Sequence, residues 1–587
     1  MTLLSLRGVI NMFTRPPLIP SFILKLVLII SLSLSLTVKA QNQTSESVTA
    51  RVDKVFAQWD KPDSPGCALA VIKDGNIIYK RGYGIANLDY DIPITPSTPF
   101  HVASVSKQFT AMSIALLARE GKLSLDDDVR KYIPEVPDLG QKITIRHLIH
   151  HTSGLRDQWS LLVMAGWRLS NDVVKDQDVL DLVSRQKALN FKPGDQHLYS
   201  NTGYTLMALI VKRVSGKSLR EFTEEKIFKP LGMSKTFFRD DHTVIVKNQA
   251  IGYEPGGPTK FRLSVPNYDT VGASSLLTTV EDMAKWDQNF YEPQVGDAAL
   301  IKQLETPVAL NDGYKLNYAM GMVVGQYKGL RVVEHSGADA GYRSHYMRFP
   351  DQRFSVVILC NLSFAFPNQL ARNVADIYLA GQLKDEPAHT TSASSSVKLS
   401  EQQLASKTGP YWCDATGDLA RITASDGKLN ATLPGLSAKL IPLAEDRFQV
   451  EGRKTIITFD SSPNDQPLRM TVKPETGFPM IFEAVPPASL TPAEMADYAG
   501  AYYSEEIDSV YTVKFDGSKL TLVRKKNDPM TLEPAFEDAF VTGPFFGVAR
   551  FDRDSSGRIT GFKLFAGRIR NFQFVKQISD NGARGNR

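Results

Sequence analysis

A chain of 587 residues with 42% hydrophobic and 22% charged residues can bury more than one core, so a multidomain protein of two or three domains is expected. Its 68 basic and 63 acidic residues leave a formal net charge of +5. That balance supplies no dense basic patch, which argues against nucleic acid as a partner.

Residues 1–40 carry Arg7, Arg15 and Lys25 but no Asp or Glu, and the apolar run from Leu26 to Val38 leads into Val38-Lys39-Ala40. This is the layout of a signal peptide with cleavage after Ala40, so a secreted or periplasmic protein is expected. The run interleaves Ser with Leu and is shorter than the roughly 20 apolar residues that cross a bilayer. No stable membrane span is therefore expected after cleavage; a retained anchor is the alternative. Cys67, Cys360 and Cys413 are far apart and odd in number. They read as buried small hydrophobes without a disulfide framework.

From Pro65 to Asn87 apolar and polar residues alternate around Asp74-Gly75, which predicts a hairpin. Between Ser104 and Glu120 the spacing becomes helical, with Phe109, Met112, Leu116 and Leu117 on one face and Gly121 placed to end it. Further helices are expected over Thr205 to Val214 and Thr279 to Phe290, and strands over Tyr342 to Asn361, turning at Pro350-Asp351. Strands at both ends with helices between them predict an α/β domain over residues 45–384, one antiparallel sheet covered by helices.

The composition of residues 385–398 predicts a linker. Beyond it, Leu399-Ser400, Leu404-Ala405 and Gly409-x-Tyr411-Trp412 are echoed without a gap by Leu490-Thr491, Met495-Ala496 and Gly500-x-Tyr502-Tyr503. This internal repeat predicts two small all-β, barrel-like domains, residues 399–487 and 488–577, before a tail at 578–587.

The chemistry centres on Ser104-Val105-Ser106-Lys107. Positions i and i+3 of a helix share a face, so the Ser104 hydroxyl and the Lys107 amine point into one cleft. A serine hydroxyl needs a neighbouring base, and lysine serves only when burial and nearby positive charge keep it neutral. Ser395-x-x-Lys398 and Ser425-x-x-Lys428 match the same pattern, but only Ser104 opens a long amphipathic helix, where its amide can face an oxyanion.

Tyr199-Ser200-Asn201 follows the turn Pro193-Gly194-Asp195. Tyr199 can relay a proton, and Asn201 can bond Lys107 and donate to a substrate amide. His335-Ser336-Gly337 stands just before the last strands of the domain. There His335 would line the cleft, Gly337 would let substrate approach the strand, and the Ala338 amide would complete an oxyanion hole with that of Ser104. His147, His150 and His151 have no partners at metal-ligand spacing and read as helix capping and loop packing. Lys407-Thr408-Gly409, beyond the linker, reads as coincidence.

The ordered set Ser104-x-x-Lys107, Tyr199-x-Asn201 and His335-x-Gly337 resembles the penicillin-recognising serine hydrolases, in particular the class C β-lactamase-like group of DD-carboxypeptidases, D-aminopeptidases and carboxylesterases. His151-Thr152-Ser153-Gly154-Leu155 and Ala273-Ser274-Ser275-Leu276 resemble further hallmarks, and the likeness runs roughly from Val48 to Leu383.

The resemblance implies a β-lactamase/transpeptidase-like fold in which Ser104 forms an acyl-enzyme, Lys107 and Tyr199 move protons, and neither metal nor organic cofactor takes part. It implies small peptide, ester or β-lactam-like substrates, including D-residue peptides and peptidoglycan fragments. β-Lactamase, carboxylesterase and a non-catalytic penicillin- or peptidoglycan-binding protein stay open as alternatives. Many family members carry Lys where this chain has His335, which puts anion recognition in question and makes Arg343 a candidate substitute.

Overall fold

The computed structural model describes residues 46–256, 260–384, 397–460, 468–475, 478–543 and 546–577. The expected signal peptide, most of the expected linker and the tail lie outside the described residues. The chain divides into two compact units, residues 1–54 and 55–587. The described part of the first opens a helix, Val48–Phe56. The second holds a sheet with its helices and two barrels.

The sheet is built from β1 (Cys67–Lys73), β2 (Asn76–Tyr83), β3 (Val323–Tyr327), β4 (Leu330–Asp339), β5 (Tyr342–Phe349) and β6 (Phe354–Cys360), in the antiparallel order β3-β4-β5-β6-β1-β2. β1 and β2 form the hairpin expected around Asp74-Gly75, and Asp74 and Gly75 both take positive φ. The helices that matter to the site are α1 (Lys107–Arg119), α2 (Gln158–Met164), α3 (Asn201–Ser215), α4 (Val280–Asn289) and α5 (Pro367–Tyr378).

β6 is buried along its whole length because helices cover both faces. Phe354 meets Tyr378 of α5, whereas its neighbour Ser355 donates to Asp287 of α4. Successive strand residues point to opposite faces, so the two helices sandwich the sheet. α1 is buried on nearly all sides, Lys107 included, and packs along α3.

The reading of all three cysteines as unpaired is corrected. Cys67 and Cys360 are register partners on β1 and β6 and form a disulfide, while Cys413 is free and buried. Pairing the first and last strands of the domain brings together residues 293 positions apart.

Eight antiparallel strands close a barrel over residues 409–484, and eight more close a second over residues 500–576. The sequence repeat has a physical basis. Ser400 and Thr491 each cap a short helix through a reciprocal box with Gln403 and Glu494. Tyr411 and Tyr502 then each donate to the carbonyl four residues earlier, Lys407 and Tyr498. Lys407, just ahead of the first barrel strand, pairs with Asp446 of the same barrel.

The second barrel also docks on the sheet-and-helix domain. Tyr511 donates to the Met164 carbonyl and Arg524 to that of Val163, both on α2. Among the described residues, no helix is long and apolar enough to cross a membrane.

Candidate active site

Ser104 does not lie on α1 itself. It sits in a tight 3-10 turn, Ala103–Ser106, that runs into α1 at Lys107. Ala103 takes φ +48°, an uncommon backbone state for a residue with a Cβ. Ser106 holds the turn by donating to the Ala103 carbonyl and accepting from the Leu276 amide. The result is the juxtaposition expected of a helical i, i+3 pair, with Lys107 Nζ 3.1 Å from Ser104 Oγ.

Lys107 is fully buried, and its other two partners are carbonyl oxygens, Asn201 Oδ1 at 2.9 Å and Ala273 O at 2.7 Å. Burial, and then the Arg568 cation, hold its ammonium well below the ordinary lysine range, against the opposing charges of Asp157 and Asp339. The Tyr199 ring lies 4.9 Å from Lys107 Nζ. Burial pushes its phenol well up, opposed by a hydrogen bond with Ser104, so the phenol is protonated at neutral pH.

Asn201 opens α3. Its Oδ1 is given to Lys107, and its Nδ2 donates to Asp157 at 2.8 Å. One of the two Nδ2 hydrogens of Asn201 is thereby committed to Asp157, and the residue lines the cleft.

His335 differs from its expected place. It is buried between Tyr199 and Tyr318 and is not on the wall of the cleft. Nδ1 donates to the Ser336 carbonyl, so Nε2 accepts from the Tyr318 hydroxyl. Burial, then Lys107, push this imidazole down to about 3. A neutral, buried His335 cannot be an anion hook. Arg343 gives NH1 to the Ala340 and Tyr342 carbonyls and does not line the cleft.

Gly337 is required for a reason other than substrate approach. A Cβ there would lie 2.2 Å from Ser344 Oγ and 2.3 Å from the Val102 carbonyl, immediately before the nucleophile turn. We expect Gly337→Val to displace that turn, costing about 1–3 kcal/mol of stability and slowing Ser104 acylation by roughly 100-fold. Thermal melting and the rate of fluorophosphonate labelling read the two effects. Ala338 follows on the part of β4 that has outrun β3, since β3 pairs only as far as Glu334. That edge of β4 is left unpaired by β3, and Ala338 lines the cleft.

The three histidines behave as expected. His147 completes the cap at Thr144, His150 bonds the Tyr318 carbonyl, and His151 accepts from the Ser200 amide under Tyr199.

The cleft has a volume of about 590 Å3, with Ser104, Tyr199, Asn201, Ala338, Asp339 and Arg568 on its polar wall. Trp159, Leu169, Leu263 and Val265 form an apolar wall. Two of the polar residues just named escaped the sequence reading. Asp339 ends β4. Burial alone would raise its carboxyl, but hydrogen bonds from His101, Tyr268 and Ser274 bring it below the ordinary range. Arg568 is contributed by the second barrel, its guanidinium 4.8 Å from the Tyr199 ring centre, and it is the sole Lys or Arg among the described lining residues.

The family model described as Beta-lactamase matches residues 52–379. The chain is 29% identical to a D-aminopeptidase of Gluconobacter oxydans over 384 residues, 65% of this chain and 70% of that one. It is 30% identical to penicillin-binding protein 4* of Bacillus subtilis over 417 residues, 68% of this chain and 91% of that one. Among solved structures, the octameric penicillin-binding protein homologue from Pyrococcus abyssi aligns over 74% of this chain and 99% of its own at a TM-score of 0.51 and 25% identity. The model match takes in more than half of the residues, including the turn that presents Ser104, and on that basis the chain belongs to the Beta-lactamase family of serine hydrolases.

Proposed function

We propose that the protein is an exported amide hydrolase that forms an acyl-enzyme on Ser104 and acts on short D-residue peptides or cell-wall fragments that offer a free amine. One observation carries the mechanism: two of the three partners of Lys107 are carbonyl oxygens, and the third is the nucleophile. A neutral amine has two hydrogens and one lone pair. The hydrogens go to Asn201 and Ala273, and the lone pair is left for the Ser104 proton.

Ser104 Oγ adds to the substrate carbonyl while its proton passes to Lys107. The oxyanion meets the amides of Ser104 and Ala338, and Tyr199 hands a proton to the departing nitrogen. Water then releases the acyl group by the reverse path. His335, buried and neutral, takes no part as a charge. The substrate class is supported by the D-aminopeptidase relative and by the ionised Asp339 on the cleft wall as a partner for an ammonium. Export is supported by the Cys67–Cys360 disulfide, which belongs in an oxidising compartment.

Intact-protein mass spectrometry after exposure to a fluorophosphonate, with Ser104→Ala as control, tests the nucleophile. D- and L-amino acid amides, each with a free and an acetylated amine, test the class. The expected result is a Ser104-dependent adduct and turnover confined to the free D-amides. No adduct on the unmodified chain would leave the binding-protein reading in its place.

A further inference from the structure

The nucleophile and base belong to the hydrolase domain, yet an unbroken series of polar contacts leads from them into the second barrel. Asn201 Oδ1 accepts from Lys107 at 2.9 Å. The Asn201 backbone amide and Nδ2 donate to one oxygen of Asp157, Oδ2, at 2.7 and 2.8 Å. The same oxygen lies 3.5 Å from NH1 of Arg568. Asp157 is 1% exposed, and its other oxygen caps α2 through the Trp159 and Ser160 amides. A buried carboxylate in this position needs a cation or several donors, and it has both.

The turn that carries Arg568 is anchored through its backbone, while the side chain itself is 43% exposed. The barrel strands Ile559–Ala566 and Ile569–Lys576 pair Ala566 with Ile569, leaving a two-residue turn, Gly567-Arg568, with Gly567 at φ +57°. Asn190 of the hydrolase domain grips this turn from both sides: its Nδ2 donates to the Arg568 carbonyl at 3.0 Å, and its Oδ1 accepts from the Arg570 amide at 2.9 Å.

We propose that Arg568 and Asp157 are positioning residues for the reaction at Ser104, a pair that ties the second barrel to Asn201 and through it holds Lys107 against the nucleophile. This makes the barrel part of the catalytic apparatus, and it rests on the reading of Lys107 as the base.

The two residues carry opposite charge and so leave opposite signatures. The groups facing Lys107 are Asp157 ahead of α2, Asn201 and Tyr204 on α3, Tyr199 and His151 on the loops, His335 and Asp339 on β4, and Arg568 on the barrel. His151 and His335 are kept neutral by burial, which leaves two anions and one cation. Lys107 acts when unprotonated. Arg568→Gln removes a cation, which favours the ammonium and moves the acid limb of the acylation profile to higher pH. Asp157→Asn removes an anion, moves the limb to lower pH, and loosens Asn201.

The test uses the full chain and measures the rate of Ser104 labelling by a fluorophosphonate from acid to alkaline pH, with a thermal melt of each variant as a fold control. On its alkaline plateau Asp157→Asn is expected to be slowed by roughly 100-fold through misplacement of Asn201. Arg568→Gln is expected to move the limb upward and Arg568→Lys, at the same exposed turn, to restore it. Equal losses in both variants with limbs unmoved would overturn the proposal, as would full activity in Asp157→Asn. Wild-type labelling by Lys107→Met would instead remove the reading of the base on which the proposal stands.

Discussion

Replacing Lys107 with Met is expected to slow acylation of Ser104 by roughly 10²- to 10⁴-fold, the usual contribution of a positioned general base. Methionine keeps the unbranched, flexible stem, so the substitution removes the amine and little else from a buried position. Asn201 Oδ1 and the Ala273 carbonyl can only accept, so a neutral Lys107 turns its hydrogens to them and its lone pair to Ser104 Oγ.

Burial first, and the Arg568 cation second, depress the ammonium and so shift Lys107 toward the neutral state. The sign follows from that direction. The base form is present above the depressed value, and acylation is lost as pH falls through it. Lys107→Met should therefore abolish the acid limb as well as the rate. Time-resolved intact-mass analysis of fluorophosphonate labelling across pH measures both, and an unchanged limb in the Met variant would assign it to another group.

The parts of this arrangement that were legible in the sequence are those written locally. Asp74-Gly75 between alternating residues specified the β1–β2 hairpin, because both turn residues must take positive φ. Ser400 and Thr491 betrayed the duplicated barrels because each caps the same short helix.

Long-range pairing left no such mark. Nothing near Cys67 announces that β1 lies beside β6, so the disulfide was invisible to spacing. The three motifs could be picked out by their order, but their surroundings could not. His335 was expected on the cleft wall, and only the packing of Tyr199 and Tyr318 reveals that it lies beneath. Asp157, just ahead of a helix, carries an N-cap signal. The sequence contains no hint that the same carboxylate would also hold Asn201. Arg568 is a residue in a barrel hairpin whose role arises only from docking.

The docking surface itself carries the second large expectation: Arg156→Met should destabilise the protein by about 3–5 kcal/mol, the cost of stranding one member of a buried ion pair. Arg156 is 0% exposed and its partner, Glu506 of the second barrel, is 6% exposed. The guanidinium also donates to the Ala188 and Arg570 carbonyls and stacks 5.0 Å over the Phe572 ring. One side chain of the hydrolase domain thus meets a turn of the barrel at Glu506 and the strand that holds both Arg570 and Phe572. Removing it leaves Glu506 buried without its cation, a penalty that removing both charges would avoid.

Arg156→Met combined with Glu506→Leu should therefore recover most of the lost stability, whereas the single variant should melt early and expose the second barrel to protease. Arg570 and Arg568 belong to the same hairpin, so a barrel loosened at Arg156 also withdraws Arg568 from Asp157. Labelling of Ser104 should fall with the single substitution and return with the double. A single variant that melts and labels like the unmodified chain would show that the barrel is held, and the base positioned, without this pair.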